Sequence, residues 1–389
     1  MWDESIPEGL ATALVGCDFT DPTAIQKACI EKVKPSNIND YLIKAPTGSG
    51  KTLGMLIPIL TAFLKNDSTN DSDKKGTRSV GTMAILVSPT RDLAVQTFSL
   101  VQKILQRVKP HWMTSCLLVG STNAQSGKNM DQQQQQNNGS LKARQKEKQA
   151  LRKGQTIVVG TPGRLIDHLK SSSGWKRESL RFLVLDEADR LLDSGFGPKV
   201  KEILEMAAPK SVMFCSATIT DPKSAFIALR DPVIVDSDVY GNGNGNSGTI
   251  DDANADDKGE AKISVPSTLT QEAMIVPCKQ RLSALASVLE GQANDSRTVV
   301  FVSTGDSVEY HASLFTTCQK ALGFGRSPVN VYKLHGSMSR EERALNLTGF
   351  ASNDGGRKIL FATDVAARGL NLTNAVSGTP VELIIQYDA

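Results

Sequence analysis

The sequence predicts an α/β protein with two domains, each built on a mostly parallel sheet flanked by helices. Short apolar runs alternate with helix-like segments along the chain. These runs are continuous rather than alternating, which is typical of strands covered by helices on both faces. The clearest strands are predicted at residues 82–88, 156–160, 182–185, 212–215, 299–302, 329–334, 358–362 and 382–386.

Polar segments interrupt this pattern at residues 65–81, 123–149 and 237–262. The first is rich in Ser, Asn, Asp and Lys, the second holds a glutamine run and a charged stretch, and the third is Gly/Asn-rich and then acidic. None can bury enough apolar surface to offset the entropy of ordering it, so we expect loops or linkers. The third suits a flexible linker. The expected organisation is therefore an N-terminal domain at 1–236, a linker at 237–262 and a C-terminal domain at 263–389.

Composition narrows the class of protein. The chain is 40% hydrophobic and 22% charged, a soluble globular balance, and its 44 basic and 41 acidic side chains neither imply nor exclude nucleic acid. The six cysteines form no CxxC pair, which favours reduced thiols in the cytosol or nucleus, and the four histidines lack metal-ligand spacing. No apolar run is long enough for a membrane span, and the N-terminus has no signal-peptide core.

A phosphate-binding loop is predicted at Ala45-Pro-Thr-Gly-Ser-Gly-Lys-Thr52, between a short strand and an apolar helix over residues 53–64. Gly48 and Gly50 let backbone N–H groups curl round phosphate oxygens. We expect Lys51 to reach the β- and γ-phosphates and Thr52 to bind Mg²⁺. A plain strand–turn–helix with a solvated lysine is the alternative. The candidate ATP-binding loop residues are Thr47, Gly48, Ser49, Gly50, Lys51 and Thr52.

A second candidate is acidic. Asp186-Glu187-Ala188-Asp189 directly follows an apolar strand, and ligands in open α/β sheets bind at the carboxyl ends of strands. We expect Asp186 to hold Mg²⁺, Glu187 to act as the general base on the attacking water, and Asp189 to bridge to another motif. The alternative is an ordinary solvated acidic turn.

The phosphate loop together with Asp-Glu-Ala-Asp resembles the DEAD-box RNA helicases. Further motifs follow in the family's order: Phe19 with Pro22-Thr-Ala-Ile-Gln26, Pro89-Thr-Arg-Asp-Leu-Ala94, Thr161-Pro-Gly-Arg164, Ser216-Ala-Thr218, Val300-Phe-Val-Ser-Thr304, Leu334-His-Gly336 and Ala362-Thr-Asp-Val-Ala-Ala-Arg-Gly369. The resemblance implies two RecA-like domains, ATP and Mg²⁺ as cofactors, and RNA as partner, with no membrane. Catalysis is expected from Lys51, Asp186 and Glu187.

The first motif of that series implies an adenine site. Gln26 carries an amide that can read the adenine edge with a donor and an acceptor, which would favour ATP over GTP. Either Phe19 or Trp2 could stack on the base, and Trp2 could equally be a frayed terminal residue.

Sequence-independent RNA binding through the phosphate backbone is implied by the resemblance, with strong salt dependence. The candidate RNA-binding residues are Pro89, Thr90, Arg91, Thr161, Gly163, Arg164 and Thr363. Coupling between hydrolysis and RNA is expected from Asp189, Ser216 and Thr218. Arg164 could instead be an ordinary surface arginine, and Ser216 or Thr218 a helix cap.

The second domain departs from the family pattern in two places. Arg368 and Gly369 should face the nucleotide, but Asn371 stands where the family has Asp, so a ribose contact is expected without its charge. Arg340 stands where the family often has Gln, which questions one RNA contact. His335 is expected to fix a turn rather than to catalyse.

The expected function is ATP-dependent remodelling of RNA duplexes. The family's final arginine motif does not occur before Ala389, and an arginine finger contributes roughly 10³–10⁵ in rate, so the 389-residue chain is expected to bind ATP and hydrolyse it poorly. The alternatives are an ATP-dependent RNA clamp and another class of P-loop enzyme, such as a small-molecule kinase.

The local sequence resembles that of a nucleolar branch of the DEAD-box family that acts in large ribosomal subunit assembly. The likeness is in residues 143–154, 265–271 and 276–282. That likeness implies a nuclear, nucleolar location, with the cytoplasm as alternative, and leaves protein partners unknown.

Overall fold

A computed structural model of the chain describes residues 2, 4–34, 39–46, 48–66, 81–119, 144–171, 177–217, 229–236, 270–324, 329–364 and 381–388. The chain forms two compact units, Met1–Ser264 and Val265–Ala389. Each unit is built on a parallel sheet with helices packed on both faces, so the predicted fold class is confirmed. The predicted linker at 237–262 lies outside the described residues.

The sheet of the first unit has seven strands: β1 (Tyr41–Lys44), β2 (Ala84–Val87), β3 (Ser115–Leu118), β4 (Ile157–Gly160), β5 (Phe182–Asp186), β6 (Ser211–Ser216) and β7 (Val233–Asp236). Their order is β3-β4-β2-β5-β6-β1-β7, and every neighbouring pair is parallel. All strands therefore end at the same edge, called here the carboxyl edge. Strands β2, β4, β5 and β6 are buried along their whole length.

The helices of the first unit are α1 (Glu8–Val15), α2 (Ala24–Lys32), α3 (Lys51–Asn66), α4 (Arg91–Leu105), α5 (Pro162–Ser171), α6 (Ala188–Leu191) and α7 (Gly197–Ala207), with a π-helical turn at Leu192–Phe196. Helices α1 to α4 pack on one face of the sheet and α5 to α7 on the other. Successive strand residues serve opposite faces: Ile43 joins the first core and Leu42 the second. No described helix is long and apolar enough to cross a membrane.

Two details of the sequence prediction are corrected. Residues 123–149 were expected to be a loop, yet 144–152 are helical, because Leu151 is buried in the second core and Glu147 pairs with α5. Lys65, expected in the first loop, belongs to α3. Strands β3 and β7 were not among the clearest predicted strands. Residues 67–80 and 120–143 lie outside the described part of the chain.

The second unit has strands β8 (Arg297–Val302), β9 (Asn330–Leu334), β10 (Lys358–Thr363) and β11 (Leu383–Gln386), all parallel in the order β11-β8-β10-β9. Its helices are α8 (Arg281–Glu290), α9 (Gly305–Thr317) and α10 (Arg340–Ala351). Buried Lys358 donates to the Gly349 carbonyl at 2.9 Å, and Arg297 to the Ala351 carbonyl at 3.1 Å. These cations satisfy carbonyls that the end of α10 leaves without helical partners.

Asp40, just before β1, fixes the register of the strands beside the phosphate loop. Its carboxylate accepts from the backbone N–H of Val212 at 2.7 Å and of Arg230 at 2.6 Å, and its own carbonyl accepts from the Val233 N–H at 2.8 Å. One buried side chain thereby ties β1 to β6 and to the approach to β7.

We expect Asp40→Ala to destabilise the first unit by about 1–3 kcal/mol for each N–H left without its acceptor. All three tryptophans lie in this unit, so denaturant unfolding followed by tryptophan fluorescence measures the loss. Exposed Glu205→Ala is the control. Equal unfolding free energies in the two variants would contradict the role of Asp40.

Candidate functional site

The glycine-rich loop between β1 and α3 has the backbone that a phosphate loop requires. Gly48 and Gly50 have φ of 78° and 90°, in the left-handed region that favours glycine. Lys51 begins α3 and its ammonium donates to the carbonyls of Ala45 at 2.5 Å and Pro46 at 2.8 Å. The side chain is thus folded into the concave side of its own loop, where burial lowers its pKa.

The start of α2 braces this loop. Thr23 Oγ1 donates to the Ser49 carbonyl at 2.8 Å, and Gln26 Nε2 donates to the Gly50 carbonyl at 3.3 Å. Gln26 Oε1 also accepts from the Thr23 N–H at 3.0 Å. The amide of Gln26 therefore supports the loop, a role that sequence reasoning missed and that the Thr-x-x-Gln capping pattern could have suggested. Its reading of adenine stays a prediction.

The acidic motif lies beside the loop. Asp186 ends β5, is almost wholly buried, and accepts a long hydrogen bond of 3.4 Å from Thr52 Oγ1. Burial, with a further contribution from the charge of Glu187, raises the pKa of Asp186 to about 6. Lys51 and the carboxylates of Asp186, Asp189 and Glu187 lie close enough to interact, since the acids counteract the lowering of the Lys51 pKa. The structure thus places these predicted residues next to one another, and their catalytic and metal-binding roles stay predictions.

Glu187 occupies a strained position between β5 and α6. Its φ of 49° is left-handed, which is uncommon for a residue with a side chain and is often found at functional sites. Its Oε2 lies 3.0 Å from Arg190 Nη1, and its backbone N–H donates to Asp186 Oδ1 at 3.1 Å. The turn thus keeps Glu187 next to Asp186 at the carboxyl edge, with its carboxylate paired to Arg190.

Candidate RNA-binding residues lie farther along the same edge. Thr90 and Arg91 follow β2, Thr161 and Gly163 follow β4, and these four are at least partly exposed. Thr90 caps α4 by accepting from the Leu93 N–H at 3.3 Å. Since β2 and β4 are adjacent, both turns form one surface, and an added Cβ on Gly163 would meet nothing within 4 Å.

Two of the candidate RNA-binding residues are buried rather than exposed. Pro89 is buried, and Arg164 is buried in an ion pair with Glu147, its Nε lying 2.8 Å from Oε2. The expectation that Arg164 contacts RNA from a surface position therefore does not match its location. Direct contact of either side chain with RNA stays untested.

Phe19 and Trp2 are partly buried and pack against the core that includes the apolar residues of α1. Trp2 Nε1 donates to the Phe19 carbonyl at 2.8 Å, so Trp2 is held rather than frayed. The ammonium of Lys103 lies 5.6 Å from the centroid of the Phe19 ring. Stacking of either ring on adenine stays a prediction.

The remaining predicted residues divide between the sheet ends and the undescribed part of the chain. Ser216 ends β6 and is buried, and Thr363 ends β10 of the second unit, half-buried. Thr47, Thr218, Arg368, Gly369 and Asn371 lie outside the described residues, as does the side chain of Arg340.

His335 behaves as a turn residue. It lies after β9, with Nδ1 2.8 Å from Ser337 Oγ and Nε2 2.9 Å from Glu309 Oε1. Among the described residues, no group of three or more His, Cys, Asp or Glu side chains is arranged to hold a metal.

Comparison with protein families gives two matches. The model for the DEAD/DEAH box helicase family matches residues 23–225, and that for the helicase conserved C-terminal domain matches residues 280–389. ATP-dependent RNA helicase dbp7 of Schizosaccharomyces pombe is 31% identical over 414 residues, covering 96% of this chain and 52% of the relative. DBP7 of Saccharomyces cerevisiae is 32% identical over 418 residues, covering 93% and 50%. The chain thus spans about half the length of these relatives.

Solved structures share the fold. Mss116p bound to single-stranded RNA and AMP-PNP superposes with a TM-score of 0.65 at 22% identity, over 99% of this chain and 67% of that chain. Dbp5 of S. cerevisiae bound to RNA and ADP BeF3 gives 0.63 at 18% identity, over 98% and 79%. The expectation of RecA-like units is confirmed.

The contact between Gly50 and Gln26 makes a testable difference between the two loop glycines. An added Cβ at Gly50 would lie 2.4 Å from Gln26 Nε2, whereas at Gly48 it would meet nothing within 4 Å. Gly48→Ala adds only left-handed backbone strain, ~1–2 kcal/mol, or about tenfold in affinity. We expect Gly50→Ala to lose more, because Gln26 must give up its bond to the Gly50 carbonyl to make room for the methyl group.

Titration with a fluorescent adenine nucleotide measures both losses. Gly197→Ala is the matched control, because Gly197 has an ordinary helical φ of −48° and open space around it. Equal affinities in the Gly48 and Gly50 variants would show that the brace from α2 does not shape the loop.

Proposed function

Because the chain belongs to the DEAD/DEAH box helicase family, we propose that it is an RNA-stimulated ATPase that uses ATP binding and hydrolysis to remodel RNA duplexes. Family membership removes the alternative of a small-molecule kinase. The proposal depends on one observation. The hydroxyl of Thr52 lies 3.4 Å from the carboxylate of Asp186 at the carboxyl edge of the sheet, and Lys51 is folded into the adjoining loop. Since the chain covers about half the length of these relatives, the activity of the whole protein is part of the proposal.

The phosphate loop binds the triphosphate of ATP. Left-handed Gly48 and Gly50 curl the loop backbone so that its N–H groups can meet phosphate oxygens. Lys51 exchanges its two carbonyl partners for the β- and γ-phosphates, which neutralise it better in a partly buried site. Gln26 and Phe19 are proposed for the adenine. Arg368, Gly369 and Asn371 are proposed for the nucleotide on the second unit.

The oxygen atoms near the loop suit Mg²⁺. A hydroxyl and a carboxylate are hard ligands of the kind this ion takes, and the raised pKa of Asp186 shows a buried carboxylate that a cation would stabilise in its charged form. Thr52 and Asp186 would hold the ion, which when bound neutralises charge on the phosphates. Glu187, at the left-handed turn beside Asp186, accepts the proton of the attacking water.

The turns after β2 and β4 bind the RNA backbone. Thr90, Arg91, Thr161 and the open backbone at Gly163 offer donors for phosphates, which carry no sequence information. Thr363 is proposed as a further contact on the second unit. Asp189, Ser216 and Thr218 are proposed to couple hydrolysis to RNA.

A cellular role in large ribosomal subunit assembly, with residence in the nucleolus, is also proposed. This role rests on the resemblance of the amino-acid sequence at residues 143–154, 265–271 and 276–282 to that branch of the family. A tagged protein that stays out of the nucleolus would contradict this part of the proposal alone.

Replacing Glu187 with Gln tests the proposal. We expect RNA-stimulated phosphate release to fall about 10²–10⁴-fold, because the water loses its general base, while ATP affinity changes little. Steady-state phosphate release and nucleotide titration measure the two quantities, with exposed Glu205→Gln as control. In the whole protein, turnover that RNA does not stimulate, or that survives in Glu187→Gln, would count against this function.

A further inference from the structure

The motif Thr161–Arg164 is held in place by a carboxylate from outside it. Glu147 Oε2 lies 2.8 Å from both Nε and Nη2 of Arg164 and 2.7 Å from Nε2 of His168. The side chains are 13%, 8% and 1% exposed for Glu147, Arg164 and His168. Few charged groups are this deeply buried unless the protein fixes them in one arrangement.

This cluster sets the orientation of α5. Arg164 and His168 are four residues apart on the first two turns of α5, so they lie on one face of the helix. A single carboxylate that binds both prevents α5 from rotating about its axis. Leu151, from the same helical stretch as Glu147, packs into the core with Leu165.

The turn at the start of α5 depends on that orientation. The Thr161 N–H donates to the Leu118 carbonyl at 3.1 Å, and the Thr161 carbonyl accepts from the Leu165 N–H at 3.0 Å. A Cβ on Gly160 would lie 2.7 Å from the Leu118 carbonyl, so only glycine permits this close approach of the backbone to β3. With one side of the turn fixed by β3, the direction of α5 decides where the backbone of Pro162 and Gly163 points.

Glu147 holds the guanidinium of Arg164 in one orientation. The carboxylate engages Nε and Nη2, Nη1 lies 3.9 Å from Asp167 Oδ2, and release from Glu147 would separate a buried ion pair, which is strongly unfavourable. Thr161 is partly exposed and Gly163 is exposed at the start of the same helix.

We propose that Glu147 is a positioning residue for RNA binding: it acts through Arg164 and His168 to hold the Thr161–Gly163 turn toward the RNA backbone. This inference rests on the proposed function, since it concerns how the same surface binds single-stranded RNA. It adds a residue from a stretch that sequence analysis took for a loop.

The direction in which RNA affinity changes in Glu147→Gln distinguishes a positioning role from a simple effect of charge. Removing a negative charge near a polyanion site strengthens binding, whereas loss of positioning weakens it. We therefore expect Glu147→Gln to weaken binding of a labelled oligouridine, with AMP-PNP present, by about tenfold or more. Exposed Glu205→Gln, which removes the same charge from α7, should bind as tightly as the unmodified chain or slightly tighter.

A double variant tests whether the cluster acts as one unit. We expect His168→Gln to weaken RNA binding as Glu147→Gln does, and the double variant to be no weaker than either single one, because both changes break the same buried contact. AMP-PNP affinity without RNA should stay unchanged, because β4 is separated from β1 by β2, β5 and β6.

The outcomes are distinguishable. If the unmodified chain binds no RNA, the proposed function and this inference both fall. If it binds RNA and Glu147→Gln binds equally or more tightly, only the inference falls. Should Glu147→Gln melt below the assay temperature by tryptophan fluorescence, His168→Gln tests the same cluster, and unaltered RNA affinity in that variant overturns the proposal.

Discussion

The candidate site depends on the register of three parallel strands. Strand β6 lies between β1 and β5, and Cys215 pairs with Ile43 on one side and Asp186 on the other. This alignment ends β1 and β5 at the same level, which puts Thr52 within 3.4 Å of Asp186. A slip of one residue in either pair would turn the side chains of that strand to the opposite face, so burial of both faces fixes the register.

Charge burial explains why this junction is suited to a nucleotide. Lys51 has a lowered pKa and Asp186 a raised one, in each case because burial disfavours the charged form. Both groups are therefore costly to keep charged alone, and a triphosphate with its cation supplies the opposite charge to each. The same burial makes the site unsuited to neutral ligands, which would leave both groups without counter-charges.

The sequence predicted the central strands well, because a strand covered on both faces is a continuous apolar run, and it located the turn between β1 and α3, because a glycine-rich loop is a local pattern. Edge strands β3 and β7 were less clear, since they are short and only partly buried. The bonds from Gln26 to Gly50 and from Glu147 to Arg164 and His168 join residues 17 to 24 positions apart. No periodicity encodes such pairs, and a charged stretch such as 144–149 has the composition of a loop until a buried partner is known.

The same sheet also fixes the distance between the two proposed ligand sites of the first unit. Strand β2, which leads to Thr90, is hydrogen-bonded to β5, which ends at Asp186, and Val87 pairs with Leu185. Both strands are buried along their length, so neither can shift without disrupting two cores. The frame between nucleotide and RNA is therefore rigid, and any adjustment to a ligand must come from the turns beyond the strand ends. Among those turns, the one after β4 is held by a single buried carboxylate from another segment, so we expect a substitution there to alter the proposed RNA contacts without moving the sheet.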